Sequence, residues 1–314
     1  MGEKPVPGFV EELRREFPQV EFREAATPAD KLREIQDADV YYGWIPRDVF
    51  LAAKKLQWVQ IPGTGIDHVL STVPELVDSD VVLVNSRGPH ANPIADHVMG
   101  MVVALSHQFR RLSEDQKAHR WDGAAYFERF LELSGGTMGI VALGDIGSAV
   151  ARRAVGFGMR VLAVDKKPVR PPQGVEAVWP VEKLDDMLRQ SDWVVVTAPY
   201  TKETKALLDR RRIGLMKSGA FLIAVSRGDI VDEAPLVDAL KSGRLRGAGL
   251  DVTAVEPLPD SSPLWDMENV IISPHVSAYT PGTFSGRREI FKENLRRALA
   301  NRPFLYVCDK KAGF

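Results

Sequence analysis

The sequence predicts an α/β protein of two doubly wound parallel-sheet domains, the C-terminal part of the chain holding a Rossmann dinucleotide-binding domain. Three observations predict it. Residues 137–165 read as an apolar strand, a glycine-containing turn, a helix and a second apolar strand ending in Asp165. That order is the βαβ unit that seats a dinucleotide. Short apolar runs alternate with helical patterns on either side of it, which implies parallel sheets covered by helices. The 314 residues are enough for two such domains.

Taken in order, Phe9–Phe17 is helical in pattern, Val20–Arg23 extended, and Thr27 caps a helix over Pro28–Asp37. Asp39–Trp44 reads as a strand, Arg47–Leu56 as a helix, Trp58–Ile61 as a strand ending at Gly63-Thr64-Gly65, and Val81–Asn85 as a strand. One long helix is expected over Pro93–Trp121, with Val98, Met101, Val102, Leu105 and Phe109 on one stripe. The alternation then restarts. Strands are expected at Gly139–Leu143, Arg160–Asp165, Trp193–Ala198, Ala220–Val225, Ala248–Val252 and Val270–Ser273. Helices fall at Gly147–Gly156, Val181–Gln190, Asp209–Met216, Glu233–Ser242 and Pro281–Ala300. The expected division is 1–95 with 282–314 as a substrate domain and 96–281 as the dinucleotide domain. Ligand is expected in the cleft between the two.

Bulk properties narrow the function. The net charge of −1 offers no broad basic field to nucleic acid or anionic lipid. A single cysteine, Cys308, excludes an internal disulfide and suits a reducing cytoplasm. No apolar run approaches a membrane span, and the start of the chain lacks a signal-peptide core. His68, His90, His97, His107 and His119 show no metal spacing and read as structural, so no metal is expected.

The chemistry is expected at strand ends. In the βαβ unit, Gly144, Asp145, Ile146 and Gly147 form the turn and helix start that would face a pyrophosphate, while Asp165 would accept from the adenosine ribose. The first glycine of the usual motif is replaced by Ala142. Arg227, Glu256 and His275 follow three later strands. An arginine can grip a carboxylate with two parallel bonds, a histidine can pass a proton to a carbonyl oxygen, and a glutamate can orient that imidazole. The set suits reduction of a keto acid. Arg87, just past a strand end, reads either as a solvated charge or as a substrate contact.

Val225-Ser-Arg-Gly-Asp-Ile-Val-Asp-Glu, Gly247-Ala-Gly-Leu-Asp-Val-Thr-Ala-Val-Glu-Pro and Ser273-Pro-His-Val-Ser-Ala, in that order, resemble the D-isomer-specific 2-hydroxyacid dehydrogenases of the glyoxylate/hydroxypyruvate reductase type. The resemblance runs from the Gly63–Asp67 loop to the Val307-Cys308-Asp309 tail. It implies that Arg227 positions the substrate and that His275 is the acid/base supported by Glu256. It further implies that the N–H groups of Thr64 and Gly65 hold the substrate carboxylate. Asp251 would take the nicotinamide carboxamide, with Val225, Ser226 and Ser277 nearby, and Ala198 and Pro199 would flank the adenosine half. The family fold implies a homodimer, with the stretch around Arg111–Ser134 reaching into the partner.

Departures from the family pattern qualify this. Asp145 stands where a basic residue is common and cannot neutralise phosphate. Tyr41-Tyr-Gly-Trp-Ile45 lacks the Arg-Ser pair of phosphoglycerate dehydrogenases, and no regulatory domain is expected after Phe314, so 3-phosphoglycerate is not the expected substrate. Glu256 argues against a formate dehydrogenase. The expectation is an NAD(H)-dependent enzyme acting on a small 2-keto or 2-hydroxy acid. Two alternatives stand beside it. Lys166, Lys167 and Arg170 could meet a 2′-phosphate and favour NADP(H), and a dinucleotide-sensing, corepressor-like protein could keep the same residues.

Overall fold

The computed structural model describes residues 8–314. The chain divides into two compact units, Met1–Pro89 with Pro281–Phe314, and His90–Thr280. The boundary falls before the helix at Ala91 rather than at 95/96, because Ile94 and Ala95 are buried in the core of the second unit.

The first unit contains α1 (Phe9–Glu16), α2 (Pro28–Glu34), β1 (Val40–Tyr42), α3 (Arg47–Ala52), β2 (Trp58–Gln60), α4 (Asp67–Thr72) and β3 (Val82–Val84). Its strands form a parallel sheet in the order β1-β2-β3. Thr27 begins α2 with a reciprocal capping box to Asp30, as its position predicts. Val20–Arg23 forms no strand; it passes as irregular chain after α1.

The second unit opens with α5 (Ala91–Ser106) and α6 (Phe109–Lys117). The single long helix expected here is broken at Gln108, whose φ of 54° cannot continue a right-handed helix. Val98, Met101, Val102 and Leu105 are buried as the stripe predicts, whereas Phe109, beyond the break, is 50 % exposed. Then follow β4 (Thr137–Val141), α7 (Asp145–Gly156), β5 (Arg160–Asp165), β6 (Val175–Pro180), α8 (Leu184–Gln190), β7 (Trp193–Val196), α9 (Arg210–Leu215), β8 (Ala220–Ala224), α10 (Glu233–Lys241), β9 (Leu245–Leu250) and β10 (Val270–Ile272). All seven strands are parallel, in the order β10-β9-β8-β7-β4-β5-β6. β4, β7 and β8 are buried along their whole length, hence sequences that are apolar throughout in β7 and β8 and after Thr137 in β4. β6 escapes the sequence reading because it is an edge strand, only partly buried and ending in Pro180.

The order reverses between β4 and β7, so the connections that follow them lead off in opposite directions along the sheet and leave the switch-point crevice of a doubly wound sheet.

The chain returns to the first unit as α11 (Pro281–Leu299). Asn294, on α11 and fully buried, donates to Gln60 Oε1 at 3.0 Å and to the Leu305 carbonyl at 3.3 Å, and accepts from the Leu305 N–H at 2.8 Å. It ties helix, central strand and tail together. Asn294→Ala strands the Leu305 N–H and the Gln60 Oε1 without a partner, so it should lower the stability of this unit by roughly 3 kcal/mol. Urea unfolding checks this; an unchanged midpoint would show that the network contributes nothing.

Candidate active site

In the second unit the sheet gathers residues far apart in sequence. Read along its carboxyl edge from β10 to β5, the strands are followed by His275, Asp251, Ser226–Arg227, Ala198–Pro199 and Gly144, with Asp165 ending β5.

His275 and Glu256 form a pair, with Nδ1 2.8 Å from Oε2. Both side chains are half-exposed, so the ring is open to a ligand. Burial pushes the Glu256 carboxyl up, but the hydrogen bond and charge of His275, the Thr253 N–H and the charge of Arg227 outweigh it. Glu256 is therefore held below the usual carboxylate range and stays ionised. Arg227 is close enough to add its charge to the pair, and its Nη1 donates to the Ser226 carbonyl at 2.7 Å. The three residues named from the sequence come together.

Gly228 makes this possible. A Cβ there would lie 2.0 Å from the Thr253 carbonyl carbon and oxygen, so only glycine lets the Arg227 turn pack against the backbone leading to Glu256. Thr253 N–H in turn donates to Glu256 Oε1 at 3.2 Å.

Asp251 is fully buried and binds the loop that carries His275. Its Oδ1 accepts from Ser273 Oγ at 2.6 Å and from Val276 N–H at 3.0 Å, and its Oδ2 from Ser277 N–H at 3.1 Å. Its own carbonyl accepts the His275 N–H at 2.9 Å. His275 itself has φ +56°, a left-handed conformation that costs about 1–3 kcal/mol and persists only where neighbours enforce it.

At the other half of the edge, Gly144 precedes α7, and a Cβ on it would meet nothing within 4 Å. The first N–H groups of α7 face that open space with the positive end of the helix dipole. Gly147 permits the helix to start there, since a Cβ on it would lie 2.3 Å from the Ala142 carbonyl. Ala142 has φ +75°, the conformation glycine would supply freely, so the departure from the motif is a strained residue in an unchanged turn. Thr197 Oγ1 donates to Ala142 O at 2.7 Å and helps hold it.

Asp165 accepts from Leu143 N–H at 2.7 Å and from Lys167 N–H at 2.8 Å. Each oxygen retains a lone pair for a ribose hydroxyl. Lys166 is paired with Glu203. Asp145 and Ile146 open α7, Ala198 and Val225 are buried at strand ends, and Pro199 O accepts from Thr204 Oγ1. The Ser226 hydroxyl is buried and has no hydrogen-bond partner among the described residues. An open helix start, a carboxylate at the second strand end and an orphaned hydroxyl at the edge fit a bound dinucleotide.

Thr64 and Gly65 belong to the first unit, in the loop after β2. Asn85 Nδ2 donates to Thr64 O at 2.8 Å, and Ser86 N–H to Gly63 O at 2.9 Å. Among the described residues the N–H groups of Thr64 and Gly65 have no protein acceptor. Arg87 stacks over the Tyr306 ring at 5.3 Å. Cys308 is buried, which pushes its thiol up to about 12 and leaves it unreactive. No metal-binding cluster and no helix long and apolar enough to cross a membrane occur among the described residues.

Three supporting residues escape sequence reading. Gly228 had a signal in the Ser-Arg-Gly run. His97 and Ser273 had none, since they meet only in the fold, 176 residues apart.

Residues 99–277 match the family described as D-isomer specific 2-hydroxyacid dehydrogenase, NAD binding domain. The chain is 34 % identical to the glyoxylate reductase of Korarchaeum cryptofilum, over 87 % of this chain and 84 % of that one. It is 31 % identical to the D-3-phosphoglycerate dehydrogenase of Methanocaldococcus jannaschii, over 91 % of this chain and 55 % of that one. The chain thus spans about half the length of the D-3-phosphoglycerate dehydrogenases it matches. Among solved structures, the NADPH-dependent glyoxylate/hydroxypyruvate reductase of Sinorhizobium meliloti, in complex with NADP and sulfate, superposes with a TM-score of 0.86 at 29 % identity. That match covers 98 % of this chain and 97 % of the other. This chain belongs to the D-isomer-specific 2-hydroxyacid dehydrogenase family, and its second unit is the NAD(P)-binding domain.

Proposed function

We propose that the protein interconverts a small 2-keto acid and the D-2-hydroxy acid, with NAD(H) as cofactor. The observation that carries this is the 2.8 Å His275–Glu256 pair beside Arg227 on the carboxyl edge of a dinucleotide domain. Bound nicotinamide supplies or accepts the hydride. Arg227 takes the substrate carboxylate and neighbouring carbonyl through its planar fork. The N–H groups of Thr64 and Gly65, which have no protein acceptor among the described residues, are proposed as further carboxylate contacts. With Nδ1 committed to Glu256, His275 presents Nε2 to the substrate, donating a proton to the carbonyl oxygen in reduction and removing it from the hydroxyl in oxidation. Glu256, ionised, balances the imidazolium and sets the ring's orientation.

Glyoxylate, hydroxypyruvate and pyruvate-like acids are the proposed substrates. The names of the full-length relatives support them, and the Tyr41–Ile45 segment speaks against a phosphorylated one. A spectrophotometric screen of short 2-keto acids tests this. Cofactor binding without turnover of any of them would overturn it and favour a dinucleotide sensor.

The NADH preference rests on Asp165, which bonds a 2′-hydroxyl and repels a 2′-phosphate. The pairing of Lys166 with Glu203 leaves that cation less available to phosphate. A second reading, NADPH, is favoured by Arg170 and by the NADPH in related structures. Asp165→Ser should lower kcat/KM for NADH and narrow or reverse the preference. A wild-type preference for NADPH of about tenfold or more (~1.4 kcal/mol) would decide for the second reading.

We also propose a cytoplasmic homodimer. Trp121 and Phe127 are exposed at 101 % and 79 %, and Phe109 and Phe130 are exposed as well, apolar side chains that a second copy would cover. Light scattering should give twice the 34.8 kDa chain mass.

A further inference from the structure

We propose that His97 is a positioning residue for His275, acting through Ser273 and Asp251. It rests on the reading of His275 as the acid/base.

Hydrogen-bond chemistry fixes the direction of the chain of contacts. Ser273 Oγ lies 2.6 Å from Asp251 Oδ1 and 2.8 Å from His97 Nε2. An ionised carboxylate only accepts, so the single hydroxyl proton of Ser273 goes to Asp251. The Ser273 oxygen is then an acceptor, and His97 must donate to it from Nε2. His97 therefore carries a proton on Nε2 and orients the Ser273 hydroxyl. The second contact of Nε2, with Asp251 Oδ1 itself, is 3.9 Å and too long for a hydrogen bond.

The far end of this chain is the strained turn at the catalytic histidine. Asp251 holds residues on both sides of His275, through the Ser273 hydroxyl before it and the Val276 and Ser277 N–H groups after it. A left-handed residue with a Cβ relaxes when such restraints loosen. His97 anchors the restraint to α5, a 16-residue helix with buried residues along its length. A rigid helix thus aims a loop whose own geometry is unfavourable. His97 needs no contact with substrate for this.

The test compares His97→Leu, His97→Gln and Ser273→Ala in the full-length protein. His97→Leu should lower kcat for keto-acid reduction about tenfold, since a small misplacement of a reacting group is costly. KM for the keto acid should change less than about twofold, because Arg227 is untouched, and NADH affinity, followed by NADH fluorescence, should fall less than kcat, because the α7 end and Asp165 are untouched. His97→Gln should recover most of kcat, as its carboxamide can donate to Ser273. Ser273→Ala should match His97→Leu, and the double variant should be no worse than either, the mark of one shared path. Wild-type kcat in His97→Leu overturns the proposal, as does a loss confined to NADH affinity. Parallel loss of every parameter and of thermal stability, without rescue by Gln, also overturns it. If His275→Ala is inactive while His97→Leu is normal, this proposal alone fails. If His275→Ala is itself active, the acid/base reading fails first.

Discussion

Replacing His275 with alanine is expected to lower turnover of a 2-keto acid about 10²- to 10⁴-fold, the range spanned by one general acid/base group. NADH affinity should be nearly unchanged, since no contact proposed for the dinucleotide runs through that ring. The pH dependence follows from the direction of proton transfer. Reduction needs a protonated imidazole and oxidation a neutral one, so the two directions should respond to pH in opposite senses, reduction falling and oxidation gaining as pH rises. Glu256 adds a second, acidic event. Its carboxyl is held below the usual range, so the charge opposite His275 is present at and above ordinary carboxylate pH. That charge, and the folded-state stability that goes with it, is lost as pH falls through the depressed value. Glu256→Gln keeps the shape and removes the charge, so the acidic event should disappear from the profile. Steady-state profiles of the two variants check both points. An unmoved profile in Glu256→Gln, or near wild-type turnover in His275→Ala, would return that residue to a structural role.

The legible part of this fold was the part dictated by short-range physics. Buried parallel strands announce themselves as apolar runs, so β4, β5, β7 and β8 could be read directly, and Thr27 with Asp30 marked a helix start. The misses have physical causes. β6 at the sheet edge is only partly buried and is interrupted by Glu176, Gln108 enters the left-handed region without being glycine, and Val20–Arg23 has strand-like residues with no neighbouring strand to pair with. Arg227, Glu256 and His275 were visible because each follows a recognisable strand. The supports were not visible. Nothing local marks His97 as the donor to Ser273, or Gly228 as the point where two backbones meet, because both depend on contacts made only after the sheet has assembled. Asp251 was legible as an important acid, but its engagement with Ser273, Val276 and Ser277 showed a second task that spacing does not encode.

Arg227→Ala is expected to cut kcat/KM for keto acids by about 10²- to 10³-fold. The estimate follows from removing two charge-assisted hydrogen bonds, each worth about 1.5–3 kcal/mol, and discounting for the substrate contacts that survive. The N–H groups proposed to share the carboxylate, on Thr64 and Gly65, remain in such a variant, so binding should weaken without vanishing. Arg227→Lys should recover only part of the loss, because an ammonium keeps the charge and loses the planar fork. The effect should reach Glu256 too. The Arg227 charge is among the influences that hold that carboxyl down, so its removal allows protonation at higher pH and should raise the acid limb of the profile. NADH binding is the control that separates the two roles open to this residue. A substrate anchor leaves NADH affinity intact while KM rises and kcat falls. A structural strut, releasing the turn that Gly228 packs against Thr253, would lower cofactor affinity, thermal stability and turnover together. Equal losses in all three would therefore refute the anchor and assign Arg227 to the architecture of the loop.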